Sequence, residues 1–393
     1  MSGTVIWTGV VALICLQHVS TFKLVCYFTN WSQYRETAGR FVPDDIDPDL
    51  CTHIIYAFAN IKDNQIVTTE WNDMSTYESI NSLKSRNPRL KTLLSIGGYL
   101  GSKSFRNVTK SPATRSEFVA SVVQFLRENS FDGLDLSWQY PEQSDRRRLA
   151  NLVKDLYYAF VTEAQNNPGM EKLLLSVAVP AGKEAIDKGY DIMKISSSAD
   201  FLNFLTFDFH GYWKDGSHKY TGHTSPLQKG KADSGTASSY NVDYAIKYLI
   251  SKGAPAEKII MGIPTYGQTF TLSSTQTVVG AVASGPGTPG AFTKTEGIQA
   301  YYEICSFNHG AKKVWIDEQA VPYSYKGNQW VGYEDVASVQ IKVQYMKNNH
   351  LGGIMIWALD LDDFSGSFCN EGKYPLLGAV KKELDKEEPI SVK

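Results

Sequence analysis

Eight short runs rich in branched and aromatic residues recur along the chain, at 23–29, 53–60, 90–96, 131–137, 173–179, 201–208, 258–264 and 353–359. Each has the length of a strand, and amphipathic stretches fill most of the gaps between them. Strands alternating with helices favour a parallel sheet covered by helices, and eight such units suffice to close an α/β barrel. Between 144 and 164, Leu149, Leu152, Val153, Leu156 and Phe160 follow the i, i+3, i+4 spacing of a helix with one buried face. Ser144 or Asp145 stands where a side chain can cap that helix.

One interval breaks the rhythm. Residues 265–352 separate the seventh run from the eighth, far more than a helix and two loops require. Gly and Pro crowd 279–297, which reads as turns, and 314–325 reads as short strands. The expected division is a leader at 1–21, a barrel built from 22–267 and 334–393, and a small inserted α+β domain at 268–333.

The fourth run continues as Phe131-Asp132-Gly133-Leu134-Asp135-Leu136-Ser137-Trp138-Gln139-Tyr140-Pro141. Side chains alternate between the faces of a strand, so Asp135, Ser137 and Gln139 share one face and Leu134, Leu136 and Trp138 the other. A polar column at the C-terminal end of a barrel strand is where such folds keep their sites.

This stretch resembles the signature of glycoside hydrolase family 18, Asp-Gly-x-Asp-x-Asp-Trp-Glu-Tyr-Pro. Asp132, Asp135, Trp138, Tyr140 and Pro141 match, whereas the third Asp is Ser137 and the Glu is Gln139. Segments at 26–31, 95–100, 207–211, 263–267, 327–333 and 357–363 resemble the family as well. The resemblance implies a (β/α)8 TIM barrel with an inserted α+β domain.

It also implies a mechanism that this chain has lost. Family enzymes cleave chitin with help from the substrate's own N-acetyl group, outside the usual two-carboxylate scheme. Their Glu protonates the leaving oxygen, and the neighbouring Asp steadies the acetamide and the developing positive charge. Gln139 has no acidic proton, Ser137 has no charge, and Phe207 stands where the enzymes carry a Tyr that holds the acetamide. The site is therefore expected to be catalytically silent, with Asp132 and Asp135 structural and Asp135 within reach of Ser137 or Gln139.

The resemblance places Tyr27, Trp31, Phe58, Tyr99, Tyr140, Asp208, Trp213, Tyr266 and Trp357 along a sugar-binding groove. Pyranose faces are patches of C–H groups that stack on flat rings, and the chain's 22 Tyr and 8 Trp can supply such faces as well as a core. The expected ligands are chitooligosaccharides, β-1,4-linked N-acetylglucosamine oligomers, bound without cleavage. Two rival readings stay open: a weak or altered glycosidase whose acid lies outside the motif, and a signalling protein that meets a cell-surface receptor through a protein surface.

Residues 10–16 form the apolar centre of a secretory leader, too short to span a bilayer, so a secreted protein is expected. Of five cysteines, Cys15 falls in the leader. Cys26, Cys51, Cys305 and Cys369 remain, with three pairings open to the sequence. The family resemblance favours Cys26–Cys51 and Cys305–Cys369. Asn30 and Asn107 head glycosylation sequons. A formal charge of −2 gives no reason to invoke nucleic acid. The basic run 146–148 reads as a solvated helix face or as a contact for sulfated glycans. No histidine or cysteine spacing suggests a metal, and no phosphate loop suggests a nucleotide cofactor.

Overall fold

The eight runs close on themselves. The barrel strands are β1 (Lys23–Thr29), β2 (His53–Lys62), β3 (Lys91–Gly97), β4 (Gly133–Trp138), β5 (Leu174–Pro180), β6 (Phe201–Leu205), β7 (Ile259–Pro264) and β8 (Gly353–Trp357). Each pairs in parallel with its sequence neighbour, and β8 pairs with β1. The protein is thus a (β/α)8 TIM barrel, seen here in a computed structural model that describes residues 22–213, 219–231 and 233–386. The leader expected at 1–21 lies outside the described residues.

Strand alternation sorts the side chains as expected. Leu134, Leu136 and Trp138 of β4 are buried against the helical layer, where Trp138 stacks on Phe105 with centroids 5.1 Å apart. The helix Arg146–Asn166 buries Leu149, Leu152, Val153, Leu156 and Phe160. Its preceding residue, Asp145, makes no side-chain cap. The buried Asp145 carboxylate is taken instead by the charge-assisted bonds of Arg106 at 2.9 Å and Arg148 at 3.5 Å, and by the Glu142 amide at 3.2 Å. The sixth strand ends at Leu205, short of the expected 208, and Asp208 itself adopts a left-handed backbone with φ 59°, outside the β region.

Strands between Tyr266 and Gly332 form a second, antiparallel sheet off the barrel's mouth. It has its own small core around Phe270, Val321, Tyr323 and Trp330. One residue, Thr265, separates this sheet from β7. Its amide donates to the Trp357 carbonyl at 2.9 Å and its hydroxyl to the Ala358 carbonyl at 2.6 Å, so the start of the second sheet also fixes the end of β8. Two disulfides are formed. Cys26–Cys51 ties β1 to the approach to β2, and Cys305–Cys369 ties the helix Tyr301–Phe307 to the segment after β8. Each closes a loop long enough to remove about 3–4 kcal/mol of unfolded-chain entropy.

Candidate functional site

The column along β4 spans the barrel from its floor to its mouth. Asp132 precedes the strand at the closed end, where it accepts from the Thr92 amide at 2.8 Å and from Lys84 Nζ at 3.0 Å. It ties β3 to β4 and lines neither cavity at the barrel mouth. Asp135 is fully buried in the barrel interior. It accepts four hydrogen bonds, from Tyr27 (2.8 Å), Ser95 (2.7 Å), Ser176 (2.6 Å) and Asn203 (3.0 Å). The expected contact with Ser137 or Gln139 is not made, because these donors from β1, β3, β5 and β6 occupy the carboxylate. A buried charge tolerates this setting only when it is so fully satisfied.

Ser137 and Gln139 reach the mouth. Gln139 Nε2 donates to Ser137 Oγ at 3.1 Å, and the Gln139 amide donates to Ser102 Oγ at 2.6 Å. The amide side chain is therefore oriented by the very hydroxyl that stands in for a carboxylate. Its Oε1 accepts nothing from the described residues and borders the cavity.

That cavity has a volume of about 680 Å³. Trp31, Phe58, Tyr99, Tyr140, Asp208, Tyr266 and Trp357 line it, together with Gln139 and Phe207. Trp31 and Phe58 are 5.9 Å apart at 21°, and Phe58 and Trp357 are 6.0 Å apart at 29°. Each successive pair is stacked, so three rings follow one another along the cavity lining, supported from below. Tyr27 corrects the expectation of a wall residue. It is 1% exposed, with its ring 4.9 Å beneath Trp357 and its hydroxyl on Asp135, so it holds the floor up and does not face the cleft. Its phenol pKa is raised well above the ordinary value, first by burial and then by the Asp135 charge. Trp213 is also absent from the lining. Its ring packs at the Gly211 backbone beside Gln268.

Leu100, Pro180, Ala181, Gly182, Ala185 and Leu205 also line the cavity. Being small or aliphatic, they carry no mark of a binding surface in the sequence. The usable signal was their place at or just past the C-terminal ends of β3, β5 and β6. A second cavity of about 400 Å³ shares Trp31 and Trp357 with the first. Tyr34, Arg35 and Asp360 border it on the barrel side, and Phe292, Thr293, Lys294 and Thr295 on the inserted side.

Asp208 is the one carboxylate among the described residues lining the larger cavity. Its Oδ1 accepts from Tyr266 (2.6 Å), Gln268 (2.8 Å) and, more weakly, Thr224 (3.5 Å), while no described residue donates to Oδ2. The residue is exposed through the mouth, yet protein crowds the carboxyl closely. That loss of water raises its pKa against the pull of the three donors. Phe207, next to it, presents only carbon, its ring edge-on to Tyr266 at 6.1 Å.

The two sequons part ways. Asn30 is 2% exposed, and its Nδ2 donates to Thr69 Oγ1 at 2.8 Å and Asp73 Oδ1 at 3.1 Å. A glycan on that nitrogen is incompatible with the folded chain, which corrects the expectation. Asn107 is exposed. In the basic run, Arg148 is engaged by Asp145 and Arg146 Nε donates to the Tyr190 carbonyl at 3.3 Å, leaving Arg147 in solvent. No helix among the described residues is long and apolar enough to cross a membrane.

An eight-stranded barrel with an aromatic cleft at its mouth, above a column that ends in Ser137 and Gln139, defines a glycosidase-type scaffold. Residues 23–362 match the family model for glycosyl hydrolases family 18, and the chain belongs to that family. It is 52% identical to chitinase-3-like protein 2 of Homo sapiens over 380 residues, covering 96% of this chain and 97% of that protein. It is 47% identical to chitotriosidase-1 of Mus musculus over 392 residues, covering 98% of this chain and 83% of that one. A solved structure of human YKL-39, described as a pseudo-chitinase with retained chitooligosaccharide binding properties, superposes with a TM-score of 0.90 at 51% identity. It covers 93% of this chain and 100% of its own.

Proposed function

We propose that this protein is a secreted chitinase-like lectin that binds chitooligosaccharides along the cleft and does not hydrolyse them. One observation carries the reading: the ring series Trp31–Phe58–Trp357 is intact above a column whose acid is an amide. Stacking faces need only geometry, whereas cleavage needs a proton donor. Gln139 cannot donate one as an acid, and Ser137 leaves a developing cation without its counter-charge. The likeness to YKL-39 and chitinase-3-like protein 2 supports the same reading. Secretion is supported by the leader read at 1–21 and by the two disulfides, which persist in oxidising compartments. The inserted segment 268–333 serves as one wall of the groove.

The test is calorimetric titration with chitooligosaccharides of increasing length. Affinity should rise with length until the groove is full, and no product should form. Trp357→Ala should weaken chitohexaose binding by about 2–4 kcal/mol, the scale of a central buried anchor, or roughly 30- to 1,000-fold. A folded Trp357→Ala protein that binds chitohexaose as the parent does defeats the proposal.

A further inference from the structure

The inserted-side wall of the second cavity has little regular structure of its own. Residues 290–295 make no strand and no helix, and Lys294 takes a left-handed backbone with φ 51°. Something other than a ladder must hold this segment in place against Trp31 and Trp357.

Glu303 does so. It lies in the first turn of the helix Tyr301–Phe307 and is 6% exposed. Its Oε1 accepts from the amides of Phe292 (2.6 Å) and Thr293 (2.9 Å). Its Oε2 accepts from Thr293 Oγ1 (2.8 Å) and from the Ala300 amide (2.9 Å). No lysine or arginine among the described residues forms an ion pair with it. A desolvated carboxylate held by backbone donors gains little as a stabiliser compared with an apolar residue of its size. What it supplies is geometry, because four donors must converge on two oxygens.

The segment is shaped to admit that carboxylate. A Cβ on Gly290 would lie 2.3–2.4 Å from the Glu303 carboxylate atoms, so only glycine lets the chain close over it. Phe292 then reaches the barrel, where a Cβ on Gly39 would lie 2.7 Å from it, and its ring packs edge-on against Tyr302 and Phe368. Beyond Phe292, Thr293, Lys294 and Thr295 face the cavity, and Lys294 comes within 3.8 Å of Glu36 across it.

We propose that Glu303, with Gly290 as its steric counterpart, is the positioning residue for this wall and sets how strongly the cleft holds sugars beyond the first cavity. The inference rests on the lectin reading for its ligand. Glu303 does not line the cavity and touches no sugar, so its effect is on the length dependence of binding.

The experiment compares the parent with Glu303→Ala and Gly290→Ala, the second variant keeping the carboxylate but forcing the segment off it. Calorimetry with chitotriose and chitohexaose is run on each, alongside amide hydrogen exchange. Both variants should lose about tenfold in chitohexaose affinity, one lost well-placed contact or two, with less than a twofold change for chitotriose. Exchange should quicken at 290–295 and not in the barrel strands. An equal loss for both oligomers, or no loss for either, overturns the proposal. Should the parent bind neither oligomer, the lectin reading fails. Exchange then decides the role of Glu303 alone: quickening confined to 290–295 supports it, and unchanged or chain-wide quickening refutes it.

Discussion

Gln139→Glu is the perturbation that measures how far this site is from an enzyme. The restored carboxyl would sit where Gln139 Nε2 now meets Ser137 Oγ at 3.1 Å. There the serine hydroxyl would turn to donate, and a hydrogen bond to the ionised form lowers a carboxyl's pKa. The new group would tend to lose the proton it needs to deliver. A carboxylate at 137 has the opposite effect, since two like charges on one strand face raise the pKa of one partner. General acid catalysis alone is worth roughly 10²–10⁴-fold. The counter-charge absent at Ser137 is comparable to a lost oxyanion donor, about 10²–10³-fold. Phe207 leaves the acetamide unheld, and a displacement of about 1 Å costs about 10²-fold. The triple change Gln139→Glu, Ser137→Asp, Phe207→Tyr should therefore exceed the single one by the product of the last two factors, roughly 10⁴–10⁵-fold, or about 5–7 kcal/mol of barrier. Initial rates on a fluorogenic chitobioside between pH 4 and 8 provide the assay, with chitohexaose binding as the control for an intact cleft. A single variant within tenfold of the triple one refutes the reasoning and leaves the parent one residue from activity.

Asp362 is fully buried, and desolvation pushes its carboxyl up to about 7 despite amides from Leu377 and Asp363. Its folded pKa lies above the unfolded one of ~3.9, so the folded chain binds the extra proton between those values. Stability on this account is present below about pH 4, falls as pH rises to about 7 by on the order of 4 kcal/mol, and is flat beyond. Melting temperatures measured from pH 4 to 8 should show that fall in the parent and a shallower one in Asp362→Asn; parallel curves contradict it. Glycopeptide mass spectrometry of protein from a secreting eukaryotic host should find sugar at Asn107 and none at Asn30. A glycan on Asn30 in folded protein would show that the buried amide network of that residue is wrong.

Much of the barrel was legible because its information is local. A strand announces itself by its branched residues, and seven of the eight expected runs match the observed strands to within two residues or so at either end. The exception at 201–208 is instructive. Asp208 looked like the end of a strand, yet it takes a left-handed backbone and its carboxylate is bound by Tyr266, Gln268 and Thr224, all distant in sequence. The cleft was half legible. Aromatic residues at strand ends drew attention, while Leu100, Ala181 and Ala185 did not, since an aliphatic residue carries no mark that separates a cavity wall from a core.

The amino-acid sequence alone set the chemistry of the column. With Ser137 and Gln139 in place, no fold could supply a proton donor or a charge at those positions, because both are properties of the side chains alone. It also determined the alternation that assigns Leu134, Leu136 and Trp138 to the helical side. Which end of the barrel a polar residue serves, and what lies beneath what, came instead from the folded packing. Asp132 went to the closed end, Tyr27 under Trp357, Asn30 into a buried network, and Glu303 behind the wall of a cavity it never touches. Such assignments depend on residues brought together across closed strands and an inserted sheet, and periodicity along the chain carries no record of that distance.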